Sequence, residues 1–319
     1  MIVTLTLNPS LDRTVEVPDL VRGGVNRASG GRIDPGGKGV NVARALLANG
    51  AAARAVLPAG GAVGRQLVDL LEGEGVAMTA VPVSGATRSN LTLSEPDGTV
   101  TKINEGGELL AGTEIDQLAD AVEDLVGPLD WAVLSGSLPT GVDPGVYARL
   151  IERFVRAGID VALDTSGPAL VRAVRARPTI VKPNRDELSE ALGRDIRSLA
   201  DAVEAAEVLR AAGAVSVLAS LGPDGAVLVD RDGVVFGDCP VDEPRSSVGA
   251  GDCLLAGYLA ARSTGATGRQ ALVTALAWAA AAVELPGSAV PGPAAIARRR
   301  AHARVVDEVD RQRVLTRSG

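Results

Sequence analysis

From residue 113 onward, segments typical of strands alternate with segments typical of helices, and this alternation limits the possible folds more than any other feature. Strand-like segments recur at 131–134, 160–163, 179–181 and 215–219, with helical patterns between them. Parallel strands need long crossover connections of this kind, whereas antiparallel strands are joined by short turns. The pattern therefore predicts an α/β fold, with one mostly parallel sheet covered by helices on both faces.

Two earlier regions have a different pattern, of short alternating runs separated by glycine-rich turns. The first covers 14–17 and 26–33, and the second covers 78–83, 90–94 and 99–104. Such runs are typical of antiparallel ribbons. Because we find no linker and no shift in composition, we expect one domain over 1–319. A small β lid is inserted into it from about 12–34 and 86–106.

Two further local predictions concern helices. Thr113 and Asp116 have the spacing of a capping box, which predicts a helix from Thr113 to about Val126. Near the end of the chain, residues 251–264, 269–283 and 294–309 have helical patterns. The last of these carries the only histidine, His302, which we expect to be a solvated helix residue.

Composition excludes several classes of protein. The 32 Lys+Arg and 39 Asp+Glu residues give a net charge of −7, and only 2% of residues are aromatic. A general nucleic-acid binder needs a basic face and usually stacking rings. Cys239 and Cys253 form no CxxC pair, and the chain has a single histidine, so ordinary zinc sites, disulfide frameworks and histidine-dependent hydrolases are also disfavoured.

The sequence predicts a cytoplasmic protein that does not enter a membrane. The first twelve residues lack the basic start of a signal peptide and soon reach Pro9 and Asp12. The most apolar stretch, 271–283, is shorter than the ~20 residues that a transmembrane helix requires. It reads instead as a buried helix.

The strongest chemical signal is the segment Ser246–Asp252, with sequence SSVGAGD, which leads directly into a helical pattern. Small residues at a helix N-terminus let backbone N–H groups approach an anion, and the helix dipole favours negative charge there. Asp252 would then be a base beside this phosphate cradle. Taken alone, the segment is explained equally well as a glycine-rich loop with an acidic residue at a helix start.

Other polar segments follow predicted strands, and in open α/β sheets ligands bind beyond these carboxyl ends. KPNRDEL at 182–188 offers a lysine, an amide and a carboxylate, which suit phosphate, polar contacts and a hydrated Mg²⁺. SLGPDG at 220–225 has glycines that permit close approach to a nucleotide, and SGSLP at 135–139 supplies hydroxyls. A helix cap and simple turns are the alternative explanations.

The use of lysine supports these assignments. The chain has only three lysines, and two of them, Lys38 and Lys182, lie in the glycine-rich and strand-end loops. A lysine offers phosphate a compact point charge that arginine does not replace. The segment PGGKG at 35–39 is not a Walker A loop, because Arg32 and Gly39 stand where that motif needs glycine and Ser or Thr.

Seven segments occur together: LTLNPSLD, PGGKGVNVAR, TRSN, SGSLP, KPNRDEL, SLGPDG and SVGAGD. In order and spacing they resemble the ribokinase-like PfkB family of carbohydrate kinases, and within it the branch that phosphorylates phosphosugars. The resemblance covers nearly the whole chain. It implies a three-layer α/β/α domain with a β lid that often serves as a dimer contact, and ATP and Mg²⁺ as cofactors.

The resemblance also implies roles for individual residues. Asp252 would be the catalytic base, with Gly249, Ala250 and Gly251 as the anion hole. The sugar phosphate would be bound by residues of the lid, the first helix and the SGSLP loop: Asp12, Gly37, Lys38, Asn41, Arg88, Asn90 and Ser137. ATP would contact Lys182, Asn184, Ser220, Gly222 and Gly225, and Glu187 would serve the metal.

Charge bears on the acceptor. Arg88 and Lys38 together suit an already phosphorylated sugar, because a buried pair of cations without an anion is costly. The segments GGKG and TKINEGG are most similar to the fructose 1-phosphate kinases of the family. The expected partners are therefore this small sugar phosphate and ATP, with no nucleic acid. Fructose 6-phosphate, tagatose 6-phosphate, an unphosphorylated sugar or a nucleoside are the alternatives, and a non-catalytic sugar-phosphate sensor is a poorer one.

Overall fold

The predicted alternation builds one large sheet. The computed structural model describes residues 1–127, 130–307 and 309–316. The strands of this main sheet are β1 (Ile2–Leu5), β4 (Ala53–Ala59), β5 (Met78–Pro82), β8 (Trp131–Ser135), β9 (Asp160–Asp164), β10 (Ile180–Val181), β11 (Ser216–Ser220), β12 (Ala226–Asp230), β13 (Gly233–Asp238) and β14 (Arg304–Val306).

The spatial order of the main sheet is β14-β13-β12-β11-β10-β9-β8-β1-β4-β5. From β11 to β5 every neighbouring pair is parallel, and the β11–β12, β12–β13 and β13–β14 pairs are antiparallel. The carboxyl ends of the parallel strands therefore lie along a single edge. The mostly parallel sheet is confirmed.

Helices cover both faces of this sheet. They are α1 (Lys38–Ala48), α2 (Gly61–Gly73), α3 (Gly112–Glu123), α4 (Val146–Arg156), α5 (Gly167–Ala173), α6 (Arg185–Leu192), α7 (Leu199–Ala212), α8 (Ala250–Ser263), α9 (Gly268–Val283) and α10 (Pro293–Arg300). Apolar residues of α3 to α7 form one core with the sheet, and those of α1, α8 and α9 form another on the opposite face. The three-layer α/β/α fold is thus confirmed, and within the described ranges no helix has the length and apolar character to cross a bilayer.

A second, smaller sheet forms the lid. Its strands are β2 (Ser10–Glu16), β3 (Gly30–Gly36), β6 (Arg88–Ser94) and β7 (Val100–Ile103), in the order β3-β2-β6-β7. Its β2 and β6 strands are parallel, with Asp12 opposite Asn90. The strand predicted over 26–33 begins later, at Gly30, and extends to Gly36, which the sequence placed in the turn before the helix. Backbone pairing with β2 over its full length sets these bounds.

Three local predictions are wrong. Residues 78–83 do not join the lid, because Met78–Pro82 pairs in parallel with β4 and continues the main sheet. The helix predicted over 294–309 ends at Arg300, after which β14 satisfies the open edge of β13 and leaves His302 in a turn. The capping box is displaced, because Glu114 accepts the hydrogen bond from the Ala111 N–H at 2.8 Å.

Candidate active site

A network of opposite charges lies at the carboxyl edge of the main sheet. Asp164, the last residue of β9, is fully buried and accepts a hydrogen bond from Lys38 Nζ at 2.7 Å. Lys182 Nζ, itself only 3% exposed, lies 3.1 Å from the other oxygen of Asp164. Lys38 also donates to Glu187 at 2.9 Å. One buried carboxylate therefore holds together two lysines from loops far apart in the sequence.

The charged forms of this network are mutually stabilised. Burial alone favours neutral Asp164, but Lys182 and Lys38 outweigh it and hold the pKa of this carboxyl below its usual range. Burial likewise opposes the charge on Lys38, yet Asp164 and Glu187 raise its pKa above that of a free lysine. Lys38 thus stays positively charged, and the same carboxylate holds Lys182 beside it.

Asp252 lies in the first turn of α8, immediately after the small residues of the predicted cradle. Gly249 caps this helix in the left-handed conformation, with φ 76°, which favours glycine. The Asp252 carboxylate is buried and accepts a hydrogen bond from Asn41 Nδ2 at 2.8 Å. Burial, assisted by the negative charge of Asp164, raises the pKa of Asp252 to about 7. Such a group exchanges protons near neutral pH.

The helix start and the lysine network meet at Gly251. A Cβ atom added to Gly251 would lie 3.5 Å from Lys182 Nζ, so the ammonium group sits beside the backbone of the cradle. Positive charge from Lys182 and the N–H groups of α8 therefore act on the same space. This combination is well suited to an anionic group that gains charge during a reaction.

Gly37 connects the lid to α1. It directly follows strand β3, has φ 119°, and is the cap residue of the helix that carries Lys38 and Asn41. A Cβ atom there would approach Thr6 Cγ2 to 2.9 Å. Both the backbone angle and the available space thus require glycine.

The lid supplies a second group of polar side chains. Asp12 Oδ1 accepts hydrogen bonds from Ser10 at 2.7 Å and from Asn90 at 2.8 Å. Arg88 donates to the backbone oxygens of Asn8 and Glu105, at 3.1 and 2.9 Å. The bond from Asn90 joins β6 to β2, and the bond from Arg88 to Asn8 joins β6 to the loop after β1.

Arg88 carries a charge that is only partly compensated. Burial lowers the pKa of its guanidinium, while Asp12 and Glu105 act in the opposite direction. In the described part of the chain it forms no ion pair within 4.0 Å, and its donors reach carbonyl oxygens. Ser137, which is exposed, accepts a hydrogen bond from Asn8 Nδ2 at 3.3 Å. An anion at this point would be the natural partner of Arg88.

Lys38 and Arg88, which together suggested an already phosphorylated sugar, belong to separate hydrogen-bonded groups. Lys38 is held by Asp164 and Glu187, together with Lys182, whereas Arg88 is bound to the lid and the loop after β1. The structure therefore places Lys38 at the centre of the site and Arg88 at its lid side.

On the other side, two loops after neighbouring strands run together. Asn184 caps α6: its side chain accepts from the Glu187 N–H, and the Glu187 carboxylate accepts from the Asn184 N–H, both at 2.8 Å. A bridge pairs Asn184 with Ser220 in parallel. Gly222 and Gly225 beyond it have φ values of 62° and 101°. The KPNRDEL and SLGPDG loops thus form one continuous wall.

Asp164 is the site residue that sequence reasoning missed. It ends the buried strand VALD at the same edge as the other loops, and this was the available signal. Its neighbour Thr165 donates to the Gly136 carbonyl at 2.9 Å, and Tyr147 donates to the same oxygen at 3.1 Å. These bonds tie the end of β9 to the SGSLP loop.

The carboxylates of the site limit how a metal ion could be bound. Both oxygens of Glu187 already accept hydrogen bonds, and Asp164 is paired with lysines. Among the described residues no cluster of three potential protein ligands exists. Mg²⁺ commonly keeps several waters and is bound by one or two carboxylates plus substrate phosphates. The site fits a metal of that kind, brought by a nucleotide and approached by Glu187, rather than a protein cage.

Comparison with known proteins agrees with the motifs. The sequence profile described as pfkB family carbohydrate kinase matches residues 5–295. A 1-phosphofructokinase from Rhodobacter capsulatus is 38% identical over 304 residues, which cover 93% of this chain and 96% of that protein. A 1-phosphofructokinase from Bacillus subtilis is 36% identical over 260 residues, 82% of this chain and 85% of that protein.

Solved structures show the same architecture. Phosphofructokinase-2 from Escherichia coli, in complex with fructose-6-phosphate, has a TM-score of 0.86 at 32% identity and covers 94% of this chain and 98% of its own. Ribokinase from Arabidopsis thaliana has a TM-score of 0.76 at 20% identity, with coverage of 94% and 98%, and shows the shared fold. The resemblance inferred from the seven segments is confirmed.

Proposed function

Since the chain belongs to the pfkB family of carbohydrate kinases, we propose that it transfers the terminal phosphoryl group of ATP to fructose 1-phosphate, forming fructose 1,6-bisphosphate. The observation that carries this proposal is the buried Asp252 at a helix N-terminus, near Lys38 and Lys182. The naming of several relatives as 1-phosphofructokinase supports the choice of acceptor.

In this proposal Asp252 is the general base. Its ionised carboxylate accepts the proton of the free hydroxymethyl group, while the oxygen of that group attacks the terminal phosphorus of ATP. The bond from this phosphorus to the β–γ bridging oxygen breaks, and ADP leaves with the electron pair. A pKa of about 7 suits a base that must lose and regain a proton at neutral pH. Asn41 donates a hydrogen bond to one oxygen of this carboxylate, which leaves the other oxygen free to face the acceptor hydroxyl.

The backbone around Gly249, Ala250 and Gly251 and the Lys182 ammonium form the anion hole. Phosphoryl transfer passes through a loose transition state with charge on the equatorial oxygens, so catalysis depends mainly on positioning and electrostatic stabilisation. The proximity of Lys182 Nζ to Gly251 supports this role. Asp164 is the positioning residue that keeps Lys182 and Lys38 in place.

The nucleotide would lie along the wall formed by the two adjoining loops, in contact with Lys182, Asn184, Ser220, Gly222 and Gly225. Positive φ angles at the two glycines let the backbone approach a ligand closely. Glu187 would hold Mg²⁺ on the nucleotide side. When bound, this ion neutralises charge on the phosphate oxygens.

The acceptor would lie under the lid, against Asp12, Gly37, Asn41, Asn90 and Ser137. Its existing phosphate would pair with Arg88, which lacks a carboxylate partner among the described residues. Lys38 adds positive charge at the centre of the site. An already phosphorylated sugar satisfies these cations better than a neutral sugar does.

Fructose 6-phosphate is the second candidate, because a similar structure is a phosphofructokinase-2 in complex with that sugar phosphate. Measurement of kcat/KM with MgATP for fructose 1-phosphate, fructose 6-phosphate, tagatose 6-phosphate and fructose separates the candidates. We expect fructose 1-phosphate to give the highest value and fructose the lowest. Preference for a 6-phosphate would replace the acceptor, and absence of any phosphorylated product would refute the proposal.

We also propose that the single domain forms a homodimer through its lid. One face of the lid sheet carries Val15, Ile33, Leu91, Leu93 and Ile103, and Ile103 is 55% exposed. A sheet face of this composition favours contact with another surface. Analytical ultracentrifugation should give a dimer for the native chain and a monomer for Ile103→Lys. A native monomer would contradict this part of the proposal.

A further inference from the structure

Residues 311–316 lead from a turn at 311–312 to the SLGPDG loop, and we name this segment the C-terminal strap. Its backbone is anchored to the start of α7: the Leu199 N–H donates to Arg313 O and the Leu315 N–H to Arg197 O, both at 2.9 Å. Leu315 is 4% exposed and belongs to the main core. The strap is therefore built into the fold.

The end of the strap is bound to the SLGPDG loop. Asp224 is 4% exposed, and its Oδ2 accepts hydrogen bonds from the Thr316 N–H at 2.8 Å and from Thr316 Oγ1 at 2.7 Å. Hydrogen bonds to a charged group are stronger than those between neutral groups. A buried carboxylate without such bonds destabilises the fold. Asp224 can thus stay buried because Thr316 is present.

Two further contacts reach the same region. Arg185, in the KPNRDEL segment beside the α6 cap, donates to the Thr316 carbonyl. Arg313 lies over the Phe236 ring at 4.9 Å and pairs with Asp238 at 3.4 Å. A Cβ at Gly225 would meet the Gly237 carbonyl at 2.1 Å, so β13 directly backs the loop that holds Asp224.

We propose that the C-terminal strap sets the affinity for the nucleotide by positioning the loop 220–225, with Thr316 and Asp224 as positioning residues. This inference rests on the proposed function, which assigns ATP to that loop. The strap makes no hydrogen bond to Asp252, Arg88 or Lys38 among those of the described residues. It should therefore act on ATP binding without altering the chemical step or the acceptor site.

The test compares Thr316→Val, which keeps the side-chain shape but loses the hydroxyl donor, with Thr316→Ser, which retains it. Thr264→Val is the matched control, because Thr264 is exposed at the far end of α8. We expect Thr316→Val to raise the KM for ATP about tenfold. Its kcat and its KM for the sugar phosphate should match those of the native enzyme, and Thr316→Ser should restore most of the ATP affinity.

Asp224→Asn provides a second, independent variant. If the two side chains act as one unit, the double variant Asp224→Asn/Thr316→Val should weaken ATP binding no more than the stronger single variant. Full additivity would overturn the proposed coupling. Equal changes in kcat and in both KM values would also overturn it, because they would indicate general damage to the fold.

Calorimetric titration with AMP-PNP keeps this test separate from the proposed function. The titration needs no acceptor, so it reports on the strap even if no phosphosugar is turned over. A dissociation constant about tenfold higher for Thr316→Val than for Thr264→Val supports the inference. Equal dissociation constants refute it and leave the proposed kinase activity intact.

Discussion

The main sheet and the lid sheet differ in what covers them. Strand β8 at the centre of the main sheet is buried at all five positions, whereas every residue of the lid strand β6 is partly exposed. The first sheet lies between two layers of helices, while the second holds polar side chains over the site. The more buried sheet thus carries the proposed chemistry, and the less buried sheet carries the proposed acceptor recognition.

Stability should show the largest contrast. Phe154 is fully buried under the main sheet. Phe154→Ala should lower the free energy of unfolding by about 3–5 kcal/mol, because a large cavity remains. Leu93→Ala in the lid should cost about 1 kcal/mol, since Leu93 is already partly exposed. Urea unfolding followed by circular dichroism measures both. Equal losses would show that the two sheets share one cooperative core.

For activity, the main sheet edge should matter most. Asp252→Asn should lower kcat by ~10²-fold or more, the usual scale for a positioned base, with little change in either KM. Asp232→Asn, in an exposed turn, is the matched control and should leave kcat unchanged. Steady-state kinetics with MgATP and fructose 1-phosphate decide the matter. An Asp252→Asn enzyme with near-native kcat would remove Asp252 from the mechanism.

A lid substitution should change binding and spare the chemical step. Arg88→Ala should raise the KM for fructose 1-phosphate roughly 10- to 30-fold, as expected for the loss of charged hydrogen bonds, with a smaller change in kcat. Arg231→Ala is the control, because Arg231 is exposed in the turn between β12 and β13, away from the lid. An unchanged KM for Arg88→Ala would favour an unphosphorylated acceptor.

The pH dependence of kcat probes the base itself. Asp252 must be ionised to accept a proton, and its pKa is raised to about 7 by burial and by Asp164. At saturating substrates kcat should therefore fall about tenfold for each pH unit below 7 and level off above it. Asp252→Asn should lack this limb. The same limb in both enzymes would assign the titration to another group.

Much of the fold was readable from the sequence because local patterns repeat along it. Strand and helix patterns alternate as expected for the crossover connections of a parallel sheet, and polar loops follow the ends of the strands. The C-terminal part was misread because alanine- and arginine-rich residues favour a helix locally. Pairing with β13 overrides that propensity for 304–306.

The site was less readable, because its decisive contacts join residues far apart in the chain. Lys38 meets Asp164 and Glu187 across 126 and 149 positions. Asp164 looks in the sequence like any acidic residue after a strand, and only the fold places two lysines on it. Similarly, nothing near Thr316 in the sequence marks it as the partner of Asp224.

The position of Gly37 has a mechanical consequence. This one residue separates the last residue of lid strand β3 from Lys38, the first residue of α1. A lid that swings outward would pivot at Gly37 and pull on the helix whose Asn41 donates to Asp252. Closure of the lid and alignment of Asp252 would then be one movement, and a larger residue at position 37 would disturb both, because its Cβ would meet Thr6.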